Sequence, residues 1–301
     1  MAHGPSRRFL AVLIAVLLGG CSGGEAVEAT STSTTVPAAP ATSRPPPTTS
    51  TSPGTTTILA GPATTTGSSL DIDAEVDVPD GEGPFPAVVL VHGGGWVAGG
   101  PGVMRPLANH LLDNGFITVN TRYRLTTRDR PGFPEAVDDL ACAVRFASAH
   151  PASDGSVTVV GHSAGAHLGA ILALTGDEYG QDCAVAGSGL PNKFVGLAGL
   201  YDVSRLGTAM AAFFGAGPST DPEAWRRGNP QLLTDQNPGL EALIMYGELD
   251  GFVDDRFAQE FHDALLDSGG DVLLELVEGA RHNDMHHPDL VGDLIVTWLR
   301  R

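Results

Sequence analysis

The run Val157-Thr158-Val159-Val160 leads directly into Gly161-His162-Ser163-Ala164-Gly165 and then into a stretch rich in Ala, Leu and Gly. A β-branched apolar run, a turn bracketed by two glycines and an apolar helical stretch can fold in few ways. The run has no polar alternation, so both of its faces must be covered, as in a strand inside a parallel sheet. The pattern recurs along the chain. Apolar runs predict strands over 70–78, 87–92, 116–123, 156–161, 194–201, 242–247 and 271–277. The stretches between them predict helices over 103–114, 134–149, 164–174, 253–268 and 288–300. Strands alternating with helices imply an α/β fold with a mostly parallel central sheet and helices on both faces.

The alternation does not reach the first 69 residues. Arg7 and Arg8 precede an apolar run over 9–18 that closes on Leu18-Gly19-Gly20-Cys21. Ten apolar residues are too few to span a bilayer, which takes roughly 20. Residues 1–20 are expected to be a secretory signal peptide ending in a lipobox, with Cys21 as the lipidated residue. An ordinary signal peptide with an incidental cysteine is the alternative. Of the 48 residues from 22 to 69, 14 are Thr, 8 are Ser and 7 are Pro, and none is aromatic. Such a segment buries too little apolar surface to offset its ordering entropy. Residues 21–69 are therefore expected to be an anchor and an extended tether, and 70–301 the folded domain. On this reading the protein is exported and held at the outer face of the cell membrane by lipid alone.

The domain from residue 70 holds 33 carboxylates against 14 basic side chains, and Lys193 is the only lysine in the chain. That balance argues against nucleic acid or an anionic lipid surface as the main partner. With Cys21 set aside, Cys142 and Cys183 remain as an even pair in an exported domain. The expectation is a disulfide, with two buried thiols as the alternative.

The chemistry concentrates where predicted strands end. The pattern G-x-S-x-G around Ser163 is weak alone, and Gly20-Cys21-Ser22-Gly23-Gly24 also fits it. Only Ser163 lies between a strand and a helix, the setting of a nucleophile elbow. His92-Gly93-Gly94-Gly95-Trp96 ends another strand, and its glycines free backbone N–H groups to approach an oxyanion. A serine hydroxyl needs a base and an orienting acid. Asp250 follows the strand over 242–247, with Asp254 and Asp255 as rivals at the next helix start. His282 follows the strand over 271–277, with His286 and His287 close behind. A metal site built from His282, Asp284, His286 and His287 is a weak alternative. The chain order is Ser, Asp, His, as this arrangement requires.

At these residues the chain resembles the α/β-hydrolase superfamily, in particular carboxylesterases similar to hormone-sensitive lipase and the BD-FAE-like esterases. The matching stretches are 92–96, Tyr123-Arg124-Leu125, Phe133-Pro134 with Asp138-Asp139, the Ser163 turn, 247–250 and 279–282. The resemblance implies Ser163 as nucleophile, Asp250 as acid and His282 as base, with Gly94, Gly95 and the Ala164 amide as oxyanion hole. It implies no metal or organic cofactor. Trp96 is expected to line the substrate pocket or, equally, to sit in the core. Two departures stand out. No helical cap precedes the domain, and only residues 202–238 offer a small lid. Thr126-Thr127-Arg128 replaces the more usual Ala-Pro after Leu125.

The implied activity is hydrolysis of small or short-acyl carboxylic esters. Amide hydrolysis on the same three residues, in the manner of an arylformamidase or peptidase, and a non-catalytic tethered binding module are the competing readings.

Overall fold

The valine and leucine runs form a sheet because they bury both faces at once. Val88, Val89, Leu90 and Val91 are all 0% exposed, and each fully buried side chain of this size contributes about 1.5–3 kcal/mol. The computed structural model describes residues 72–301. The predicted leader, Cys21 and the tether over 21–69 lie outside the described residues.

The strands are β1 (Ala74–Asp77), β2 (Phe85–Val91), β3 (Ile117–Thr121), β4 (Ser153–His162), β5 (Lys193–Leu197), β6 (Glu241–Gly247) and β7 (Asp271–Val277). Among the described residues they make one sheet in the order β1-β3-β2-β4-β5-β6-β7. Only β1 runs antiparallel to its neighbour. The α/β-hydrolase fold expected from the sequence is the fold observed.

The main helices are α1 (Arg105–Asp113), α2 (Glu135–Ala149), α3 (Ala164–Thr175), α4 (Ala211–Phe214), α5 (Pro222–Arg227), α6 (Arg256–Asp267) and α7 (Pro288–Leu299). They cover both faces. Ala87, Val89 and Val91 of β2 point into a core shared with α2, α3 and α6. Val88 and Leu90 point the other way, towards α1 and α7. α3 is apolar around its whole circumference, and all twelve of its residues are buried. Such a helix has to sit in the middle of the domain.

The chain leaves β2 for β3 on one side and returns to β4 on the other. This reversal opens a crevice outside the carboxyl ends of β2 and β4, where open α/β sheets bind ligands. The glycine loop follows β2, and Ser163 follows β4.

The predicted strand over 194–201 overruns β5. Ala198 adopts a φ of 50° and breaks the strand. The apolar pattern continues because Tyr201 turns inward and stacks on Phe261 at 4.2 Å. Residues 202–238 fold as short 3-10 turns with α4 and α5, and Phe213, Phe214 and Trp225 of this insertion are buried in the core. Cys142 and Cys183 form a disulfide with a Cα–Cα distance of 5.6 Å and a sequence separation of 41. Closing a loop of that size removes about 4 kcal/mol of unfolded-state entropy in the chain-entropy account.

Candidate active site

Ser163 sits at the turn between β4 and α3 with φ 54° and ψ −116°. A positive φ on a residue with a side chain costs about 1–3 kcal/mol and persists only where the surroundings enforce it. The enforcement is visible. The Ser163 N–H donates to Leu197 O of β5 at 2.8 Å, and Ser163 O accepts from His167 N at 3.1 Å. A Cβ on Gly161 would stand 2.4 Å from Gly165 O, and one on Gly165 would stand 2.2 Å from Val91 O. Both glycines of the motif are therefore sterically required, one by the turn itself and one by the approach of α3 to β2.

This turn presents the Ser163 hydroxyl to His282. Oγ lies 2.9 Å from His282 Nε2. His282 Nδ1 lies 2.8 Å from Asp250 Oδ2. The other carboxylate oxygen of Asp250 accepts from Phe252 N at 2.8 Å and Val253 N at 2.9 Å. Partial burial works to raise the Asp250 carboxyl. The His282 bond and the two amides outweigh it and hold the group below its ordinary range. Asp250 is thus an anion that accepts the Nδ1 proton, leaving Nε2 to accept from the serine. Asp250 lies beyond the end of β6 and His282 beyond the end of β7, so the loops after β4, β6 and β7 converge on one point. The side chains of His282 and Asp250 are only 11% and 4% exposed, which strengthens every bond in the row.

The glycine loop closes on the same place. A Cβ on Gly93 would stand 2.8 Å from His162 Nδ1 and 3.2 Å from Ser163 Cβ. Gly94 and Gly95 follow with φ 129° and 59°, and both are exposed. Among the described residues, the N–H groups of Gly94, Gly95 and Ala164 donate to no protein acceptor, and Ala164 opens α3 beside the hydroxyl. These amides are free for an anion at the positive end of the helix. Trp96 is 4% exposed and packs in the core. Its Nε1 donates to His167 Nδ1 at 3.1 Å, and His167 Nε2 donates onward to Gly228 O at 2.9 Å. This chain ties the glycine loop, α3 and the insertion after β5 into one unit.

The motif residues found in the sequence brace this unit. Tyr123 stacks on His92 at 4.5 Å and donates to His92 O at 3.2 Å. Arg124 pairs with Asp139 at 2.9 Å. Asp138 accepts from Gly180 N at 2.7 Å. The rivals stand elsewhere. Asp254 pairs with Arg256, and Asp255 accepts from Gln259 at the start of α6. His286 meets the His162 ring edge-on and stacks on His287, outside the hydrogen-bonded row.

Two histidines were not legible as functional. His162 donates from Nε2 to the backbone carbonyl of His282 at 2.9 Å. Its ring lies 5.0 Å from that of His282. The residue just before the nucleophile thus grips the backbone of the proposed base, while Asp250 grips its ring. Burial, then the neighbouring His282, pushes His162 down to about 3. Burial likewise lowers His167 to about 4. Both are neutral in the folded chain. Once unfolded they take up protons below their ordinary value of about 6.5. Stability is therefore complete above that value and falls as the pH drops from it towards 4. At pH 5 each histidine should cost about 2 kcal/mol relative to pH 7. A melting temperature equal at pH 7 and pH 5 would rule this out.

The family model for BD-FAE matches residues 74–265, almost two thirds of the chain. The protein belongs to the BD-FAE family. The matched stretch takes in Ser163 and Asp250 and ends before His282. This BD-FAE member is 32% identical over 147 residues to the protein named Probable carboxylic ester hydrolase LipM of Mycobacterium tuberculosis, covering 47% of this chain and 33% of that one. It is 26% identical over 213 residues to Esterase LipC of the same organism, covering 65% and 51%. The chain spans about a third to a half of the length of these relatives. Among solved structures, a thermophilic esterase of the Planctomycetes species Thermogutta terrifontis, in a propionate-bound form, superposes with a TM-score of 0.61 at 21% identity. It covers 76% of this chain and 87% of that one. A bifunctional GH43-CE of Bacteroides eggerthii gives a TM-score of 0.66 at 23% identity, over 75% and 35%. These two likenesses concern the fold.

Proposed function

We propose that the protein is a serine hydrolase that cleaves small or short-acyl carboxylic esters through an acyl-enzyme. The observation that carries this is the continuous row from Ser163 Oγ through His282 to Asp250, at 2.9 and 2.8 Å, set on a strained turn beside free backbone amides. Ser163 Oγ attacks the ester carbonyl carbon while His282 Nε2 takes its proton. The carbonyl oxygen becomes an oxyanion held by the amides of Gly94, Gly95 and Ala164. As the C–O bond to the alcohol breaks, His282 delivers its proton to the leaving oxygen. Water then attacks the acyl-serine with His282 again as base, releasing the acid and restoring the hydroxyl. Asp250 holds the imidazole in the required tautomer throughout and stabilises its charged form. The names of the curated relatives, ester hydrolase and esterase, support this reading.

A fluorophosphonate probe should label the full chain at Ser163 and leave Ser163→Ala unlabelled. A folded chain that does not react would sink the proposal. A series of nitrophenyl esters then reads the acyl preference.

The leader and tether extend the proposal to export with a lipid anchor at Cys21, a reading that rests on the sequence alone. Partition of the chain into the membrane fraction should be lost in Cys21→Ser. Equal partition of both forms would overturn it.

A further inference from the structure

Phe252 is the most exposed large apolar side chain among the described residues, at 61%. Isolated exposed apolar residues are ordinary on protein surfaces. This one is set apart by its position. Its ring centroid lies 5.6 Å from that of His282, with the two planes 47° apart. Leu249, three residues earlier on the same loop, is 54% exposed. The loop between them is held from both ends. Leu249 N donates to Ala280 O at 2.9 Å. Phe252 N and Val253 N donate to Asp250, and the Val253 side chain is buried in the core. The backbone is thus fixed while two apolar side chains remain in solvent, the Phe252 ring beside the proposed base. A phenyl ring held at a defined place loses little freedom when a ligand covers it.

The chemistry decides which part of a substrate reaches that ring. His282 Nε2 must deliver a proton to the leaving oxygen, so the alcohol departs along the flank of the imidazole. The oxyanion and its amides lie with the glycine loop after β2 and the start of α3, elements distinct from the loop that carries Phe252. We infer that Phe252, with Leu249, forms the binding surface for the alcohol portion of the ester, and that this surface selects alcohols presenting an apolar ring. The inference rests on the hydrolase reading above.

The ring acts only while the alcohol is attached. It therefore affects acylation and has no part in hydrolysis of the acyl-serine. Phe252→Ala keeps both backbone N–H groups that bind Asp250, so the loop retains its anchor. The test uses the full chain with acetates of alcohols of similar acidity, phenethyl acetate and ethyl acetate. The preference for the phenethyl ester over the ethyl ester, read as the ratio of their kcat/KM values, should fall about tenfold in Phe252→Ala, a typical effect for an apolar contact. Phe252→Trp should restore most of the ratio. A companion pair varies the acyl side, ethyl phenylacetate against ethyl acetate, and its ratio should move by less than twofold. An unchanged alcohol ratio would overturn the inference. So would a tenfold fall confined to the acyl pair, which would put the ring on the other side of the scissile bond. Fluorophosphonate labelling of the same preparations separates the two readings. Labelled Ser163 with an unmoved alcohol ratio removes only the alcohol surface, and unlabelled wild-type chain removes the hydrolase reading along with it.

Discussion

Ser163→Ala is expected to lower kcat for a nitrophenyl ester by about a millionfold, and the double variant Ser163→Ala/His282→Ala to be no slower than either single one. The reason lies in the geometry. Oγ, Nε2, Nδ1 and Oδ2 form one row at 2.9 and 2.8 Å, so removing either the nucleophile or its base removes the whole device. Independent contributions would multiply, and a double variant slower by the product of the single losses would refute a shared mechanism. Asp250→Asn should cost less, about ten-thousandfold, because the amide can turn the imidazole into the wrong tautomer without removing it. KM should change little in all of these variants, since none of these groups holds the remote parts of a substrate. Any residual rate is assigned to the free amides of the glycine loop and to binding. Single-turnover kinetics on the full chain, with circular dichroism to confirm folding, separates lost chemistry from lost structure.

Most of this row was legible in the chain. Parallel strands covered on both faces read as unbroken apolar runs, and the polar residues that end such runs stand at the sheet's carboxyl edge. Ser163, Asp250 and His282 all stand just past such ends. Strand ends were less legible wherever burial continues without a strand. Ala198 to Tyr201 stays apolar after β5 has ended because Tyr201 returns to the core. The antiparallel edge strand β1 was legible as a strand but not in its direction. Its acidic residues Glu75 and Asp77 both pair with Arg105 of α1, a partner far along the chain. The grip of His162 on His282 could not be read at all. The second position of the G-x-S-x-G pattern tolerates any residue, and the partner is a backbone carbonyl 120 positions away, which leaves no trace in residue type. For the same reason Trp96 stayed open between pocket and core. Its place follows from the bond to His167, and that residue read only as part of an apolar helix.

Gly165→Ala is expected to destabilise the chain by about 3 kcal/mol, the upper part of the usual range for overpacking. Helix propensity predicts the opposite sign. Gly165 lies in the first turn of α3, where alanine is favoured over glycine by up to about 1 kcal/mol. The two effects are decided by distance. A Cβ at this position would stand 2.2 Å from Val91 O, 2.6 Å from His92 O and 2.7 Å from Val91 C. All three are backbone atoms at the end of β2, so no side chain can rotate away. The overlap is relieved only by moving α3 off the sheet, and that motion carries Ser163 away from the amides of Gly94 and Gly95. Stability and activity should therefore fall together. The melting temperature should drop by about 9 °C for a domain of this size, and kcat/KM of the fraction that remains folded should fall more than tenfold. Gly102→Ala provides the contrast, because a Cβ there meets open space at an ordinary φ, and its melting temperature should stay within about 2 °C of wild type. A Gly165→Ala chain that melts at or above the wild-type temperature would show that propensity outweighs the contact, and that the approach of α3 to β2 is looser than the backbone positions indicate.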